Sequence, residues 1–82
     1  MNAETQAAAQ EVRAEIVAVV SQVLTAAGDV VAVGDPLVIL ESMKMEIPVL
    51  AEDHGRILRV PVAPGDRVQE GDLLAVIGSG CG

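Results

Sequence analysis

Phenylalanine, tyrosine and tryptophan are all absent from this chain of 82 residues. Any core is therefore aliphatic, and with 51% hydrophobic residues there is material for one small domain. Basic charge is scarce: five Lys and Arg against twelve Asp and Glu give a formal net charge of −7. Such an excess repels nucleic-acid phosphates and anionic membrane surfaces alike, so neither is an expected partner. Long apolar runs are lacking, because Ser21, Asp29, Asp35 and Glu41 interrupt them well short of the roughly 20 residues that a membrane-spanning helix needs. Glu4 and Glu11 stand where a secretory signal would place Lys or Arg, so the expected location is cytoplasmic. The single cysteine, Cys81, cannot form an internal disulfide, and its surroundings, Gly78-Ser79-Gly80-Cys81-Gly82, have the composition of a flexible end or an added handle. The single histidine, His54, has no second His and no Cys nearby. It reads as a loop residue, and no metal site is expected.

What the chain does contain is an internal repeat. Gly28-Asp29 recurs as Gly65-Asp66, a shift of 37 residues, and Gly34-Asp35 recurs at the same shift as Gly71-Asp72. Val23 matches Val60, Val31 matches Val68, Ala14-Glu15 matches Ala51-Glu52, and Leu37 to Leu40 matches Leu74 to Ile77. Val and Ile dominate the runs Ile16 to Leu24, Leu37 to Leu40, Ile57 to Val62 and Leu73 to Ile77, which is the composition of short strands. Glycine, aspartate and proline bound each run. The four aspartates recur beside glycines as turn-formers rather than as an acid pair, and Gly55 is expected in a turn as well. Pro61 and Pro64 argue against helix in the second half, while Thr5 to Gln10 reads as a frayed lead-in or one loose helical turn. Each half offers about four strands with one apolar face left wet, so the halves should bury those faces against each other. The expected fold is all-β, a flattened barrel or sandwich of two four-stranded antiparallel sheets with quasi-two-fold symmetry. Residues 1–10 are expected as a flexible tail, 11–78 as the domain, and 79–82 as a second tail. The symmetry predicts a hairpin at Lys44 at one pole and both termini at the other.

That hairpin breaks local rules. Glu41-Ser42-Met43-Lys44-Met45-Glu46 must reverse the chain between strands without Gly, Asn or Asp at its centre. The favoured primed turns need φ > 0 at central positions, which costs a residue with a Cβ roughly 1–2 kcal/mol at each. Such violations concentrate where function demands them. Lys44 is also the only lysine, set between Met43 and Met45, which should be exposed, with Glu41, Ser42 and Glu46 around it. An amine can form a stable amide with a carboxylic acid cofactor, and methionine makes an adaptable surface for a partner. A lone lysine is ordinarily a solubilising charge, however, and a Met pair near a strand end ordinarily belongs to the core. The residue pattern alone leaves both readings open.

Ser42-Met43-Lys44-Met45, preceded by an aliphatic strand with Glu41 and followed after ten residues by Gly55, resembles the Ala-Met-Lys-Met attachment motif of the biotinyl domain family. The resemblance covers about residues 12 to 78. The related lipoyl domains carry a hairpin lysine in the same repeated fold, but typically within Asp-Lys-Ala, so the flanking methionines favour biotin. The resemblance implies a barrel-sandwich hybrid in which Lys44 carries biotin on its ε-amine and Met43 and Met45 assist recognition. It implies a carrier with no catalytic residues of its own. A biotin protein ligase would attach the cofactor, a biotin carboxylase would load its ureido nitrogen, and a carboxyltransferase would pass the carboxylate to an acyl-CoA or keto acid. A monomer is expected in isolation, and amide formation at Lys44 would take the formal charge from −7 to −8. Glu41, Ser42 and Glu46 would form the surrounding surface. Three departures from the family pattern are Ser42 for the commoner Ala, Glu52 where Pro often follows Ala51, and Ala18 where the first copy often has Gly. The turn from Gly28 to Gly34 is too short for the thumb-like loop of some bacterial carriers. A lipoyl carrier and an unmodified interaction module are the alternatives.

Overall fold

The computed structural model describes residues 9–78, and over them the chain is all β. The strands are β1 (Ala9–Arg13), β2 (Ala18–Val23), β3 (Val30–Val31), β4 (Pro36–Ser42), β5 (Met45–Leu50), β6 (Gly55–Arg59), β7 (Arg67–Val68) and β8 (Leu73–Gly78). They form two four-stranded antiparallel sheets, ordered β1-β8-β6-β3 and β5-β4-β2-β7. Shifting every residue by 37 converts the first order into the second, so the repeat in sequence is a two-fold relation in space. The pair Ala9↔Gly78 is the symmetry mate of Glu46↔Glu41, which puts the hairpin at one pole and the ends of the described chain at the other.

The turns are built alike for a reason visible in their hydrogen bonds. Asp29 N–H donates to the Ala26 carbonyl at 3.0 Å, while its carboxylate accepts from Ala26 N–H at 2.9 Å. Between them Gly28 takes φ +98°, the third-residue conformation of a type II turn, which residues with a Cβ resist. Asp35, Asp66 and Asp72 repeat the same carboxylate bond to Ala32, Ala63 and Gln69, each at 2.9 Å. These turns also lock the sheets together, with Gly28 N–H on the Ile57 carbonyl and its mate Gly65 N–H on the Val20 carbonyl, both 2.8 Å.

Two buried clusters form the core. Ala14, Ala18, Val20, Val38, Leu40, Val68 and Leu74 lie on the hairpin side, and Val31, Leu37, Ala51, Ile57, Ala75 and Ile77 on the other. The shift of 37 maps one cluster onto the other at every position except Ala18, whose mate is Gly55. Fully burying a Leu or Ile side chain contributes about 1.5–3 kcal/mol, so small aliphatic residues suffice when nearly all are fully covered.

Three expectations need correction. Gly55 is not a turn residue. It opens β6, and a Cβ there would meet the Gly78 carbonyl oxygen at 2.3 Å, so close backbone approach, not a turn conformation, requires glycine. Pairing also begins at Ala9, ahead of the boundary expected after residue 10. Ala9↔Gly78 and Gln10↔Ile77 extend β1, and the Arg13 side chain fastens it by donating to the Gly71 carbonyl at 2.8 Å. The remaining parts of both expected tails, residues 1–8 and 79–82, lie outside the described residues, as does Cys81. Finally, the run expected over Ile16 to Leu24 is paired only over Ala18–Val23, and the one over Ile57 to Val62 ends at Arg59 with the strand shifted to start at Gly55.

Candidate attachment site at the β4–β5 hairpin

From Val38↔Val49 the pairing of β4 and β5 runs without interruption to Ser42↔Met45, leaving Met43 and Lys44 as a two-residue turn. Met43 has φ 54° and Lys44 has φ 66°, and among the described residues they are the only non-glycine residues with positive φ. Both central positions of a type I′ turn are thus filled by side chains that favour other conformations. The fold supports this strain from below. Leu40, three residues before Met43, is 2% exposed in the hairpin-side cluster, and Ile47 and Val49 of β5 pack against the same cluster.

The result is a stiff base with an exposed tip. Lys44 is exposed, Met43 is 91% exposed and Met45 62% exposed, so neither methionine serves the core. Among the described residues Lys44 makes no ion pair, although Glu41 and Glu46 face each other across the two strands at the base of the turn. Like charges directly opposed in a sheet are unfavourable, so this acidic pair, like the strained turn, is not there for stability. Ser42 is half-buried at the end of β4, where its small side chain fits. An amine held in this way can accept an acyl group, and its four-carbon arm can then swing from a fixed point.

The other residues singled out in the sequence are not brought to this tip. Gly28, Asp29, Gly34, Asp35, Gly65, Asp66, Gly71 and Asp72 stay in the paired turns. His54 is exposed in the β5–β6 loop, with Nδ1 3.4 Å from Asp53. Among the described residues no group of three or more His, Cys, Asp or Glu side chains is arranged to hold a metal ion. Sequence reasoning passed over Ile16 and Val17, exposed apolar residues just before β2, and Val19 within it, beside β4. The signal was available, since the repeat places charged or polar residues at the matching positions.

Residues 8–77 match the biotin/lipoyl family model, described as "Biotin-requiring enzyme". The chain belongs to the biotin/lipoyl attachment family. Within this attachment family, it is 58% identical over 69 residues to the "Biotinylated protein TB7.3 homolog" of Mycobacterium leprae (strain TN), covering 84% of this chain and 97% of that relative. Among solved structures it resembles part of a single-chain, multi-domain long-chain acyl-CoA carboxylase, with a TM-score of 0.82 and 36% identity over 89% of this chain. The match spans only 7% of that carboxylase. The lipoyl domain of the Azotobacter vinelandii 2-oxoglutarate dehydrogenase complex shares the fold, with a TM-score of 0.71 at 24% identity, covering 85% of this chain and 99% of that one.

Proposed function

We propose that this protein is a biotin carrier and that Lys44 is its attachment site, joined through an amide between Nζ and the biotin carboxyl group. The observation that carries the reading is the tip itself. The only lysine of the chain occupies a strained, solvent-exposed turn between two exposed methionines, on a strand pair anchored in the core. The relative named as a biotinylated protein supports biotin over lipoate, and the carboxylase neighbour supports work in carboxyl transfer. Biotin, once bound, supplies a ureido nitrogen that accepts and gives up carboxylate. The chain's own part is mechanical, and it supplies no catalytic residue. A rigid hairpin fixes the root of the arm, and the arm's length sets a volume in which the cofactor is held at high effective concentration for each active site.

The partners on this reading are a biotin protein ligase, a biotin carboxylase and a carboxyltransferase acting on an acyl-CoA or keto acid, visited by a monomeric carrier. The test is incubation of the purified protein with biotin, ATP and a biotin protein ligase. One biotin per chain is expected, and none in Lys44→Arg. A chain that is left unmodified, or that takes lipoate in a parallel reaction with a lipoyl ligase and not biotin, contradicts the proposal.

A further inference from the structure

Among the described residues the only sulfur atoms are the two thioethers that flank Lys44. Met1 and Cys81 lie outside those residues, and the buried core is built from Ala, Val, Leu and Ile alone. Methionine ordinarily fills gaps in a core, where conversion to the sulfoxide would disrupt packing. Here both methionines stand clear of it. Met43, the first residue of the turn, is 91% exposed, and Met45, the first residue of β5, is 62% exposed.

A thioether open to solvent reacts with peroxides. With hydrogen peroxide, a sulfur lone pair attacks one oxygen, the O–O bond breaks and an S–O bond forms. The sulfur gives up two electrons, and the other oxygen leaves as water after taking up the proton. The product is a sulfoxide, polar and chiral where the thioether was apolar. Methionine sulfoxide reductases reverse the step, oxidising two thiols to a disulfide while the oxygen departs as water.

We infer that Met43, together with Met45, is a reversible oxidation site that controls attachment at Lys44. The inference rests on Lys44 being the attachment site. An enzyme that brings Nζ to an activated acyl group must close around a turn only two residues long, so the side chains beside Lys44 lose water on docking. A flexible, apolar thioether gives up little there. A sulfoxide oxygen that meets no donor carries the penalty of an unpaired polar group. Neither methionine belongs to the core, so oxidation acts on the encounter and leaves folding unchanged. The greater exposure of Met43 makes it the first to react.

The experiment treats purified, unbiotinylated protein with hydrogen peroxide, removes the excess with catalase, and measures initial rates of biotin transfer by a biotin protein ligase. Tryptic peptide 14–44 reports on Met43 and peptide 45–56 on Met45. Oxygen is expected on Met43 first, with kcat/KM falling about tenfold once both thioethers are oxidised, equivalent to ~1.4 kcal/mol. The melting temperature should hold, and methionine sulfoxide reductases supplied with dithiothreitol should restore the rate. The double variant Met43→Leu with Met45→Leu, whatever its starting rate, should keep that rate through peroxide treatment, which separates these two thioethers from Met1 and Cys81. An undiminished rate with both thioethers oxidised, an equal loss in the leucine variant, a loss that the reductases do not reverse, or one that follows a lower melting temperature overturns the inference. Failure of the underlying reading looks different, because the protein then takes no biotin on Lys44 before any peroxide is added.

Discussion

Replacing Met43 by asparagine changes one side chain at the hairpin tip and should make the protein more stable. Met43 is 91% exposed, so its removal forfeits almost no buried apolar surface. Its φ of 54° is left-handed, a conformation that costs a residue with a Cβ about 1–2 kcal/mol and that asparagine tolerates better. Recovering about half of that cost gives a gain of ~0.5–1 kcal/mol. Adding Lys44→Gly relieves the second strained position, and after about 0.5–1 kcal/mol is subtracted for the extra freedom of glycine in the unfolded chain, the pair should gain ~1–2 kcal/mol. For a domain of this size each kcal/mol raises the melting temperature by about 4–8 °C. With no Trp or Tyr to report by fluorescence, far-UV circular dichroism during thermal and urea unfolding is the suitable assay. The single substitution should also slow cofactor attachment, since it removes a methionine from the recognised tip. A lower or unchanged midpoint in the single and double variants would refute the claim that the turn gives up stability for display.

Other outcomes follow from the two-fold architecture. Asp29→Ala and Asp66→Ala each delete one carboxylate bond to a backbone N–H in equivalent turns, so each should cost about 1 kcal/mol and the two costs should agree within ~0.5 kcal/mol in urea unfolding. Gly55→Ala forces a Cβ against the Gly78 carbonyl and should cost about 1–3 kcal/mol, read as a fall in melting temperature. Leu40→Ala, at a site 2% exposed beneath the hairpin, should cost about 2–5 kcal/mol and soften the tip, seen as faster hydrogen exchange at the amides of residues 41–46.

Much of this fold was legible because its repeat is written in turn residues. Gly28-Asp29 and its three echoes mark where the chain must reverse, and the aliphatic runs between them mark what must be buried. The candidate site was legible for the opposite reason, since Met43 and Lys44 stand where turn chemistry asks for Asn and Gly. Periodicity could not reveal β3 and β7, two residues each, which exist only because the longer β6 and β2 offer them an edge. Nor could it reveal β1, whose run Ala9-Gln10-Glu11-Val12-Arg13 holds a single β-branched residue and is ordered by its pairing with β8. The role of Gly55 was misread because a close approach between β6 and β8 is a tertiary fact. Local sequence signals report turns, whereas contacts between distant strands leave no local trace.

The most direct measurement is a tryptic map of the protein produced in cells that contain a biotin protein ligase. Trypsin cuts after Arg13, Lys44 and Arg56, but not after an acylated lysine. One uncut peptide spanning residues 14–56 and carrying a single biotin on Lys44 is expected. Separate, unmodified peptides 14–44 and 45–56, or biotin on any other residue, would contradict it.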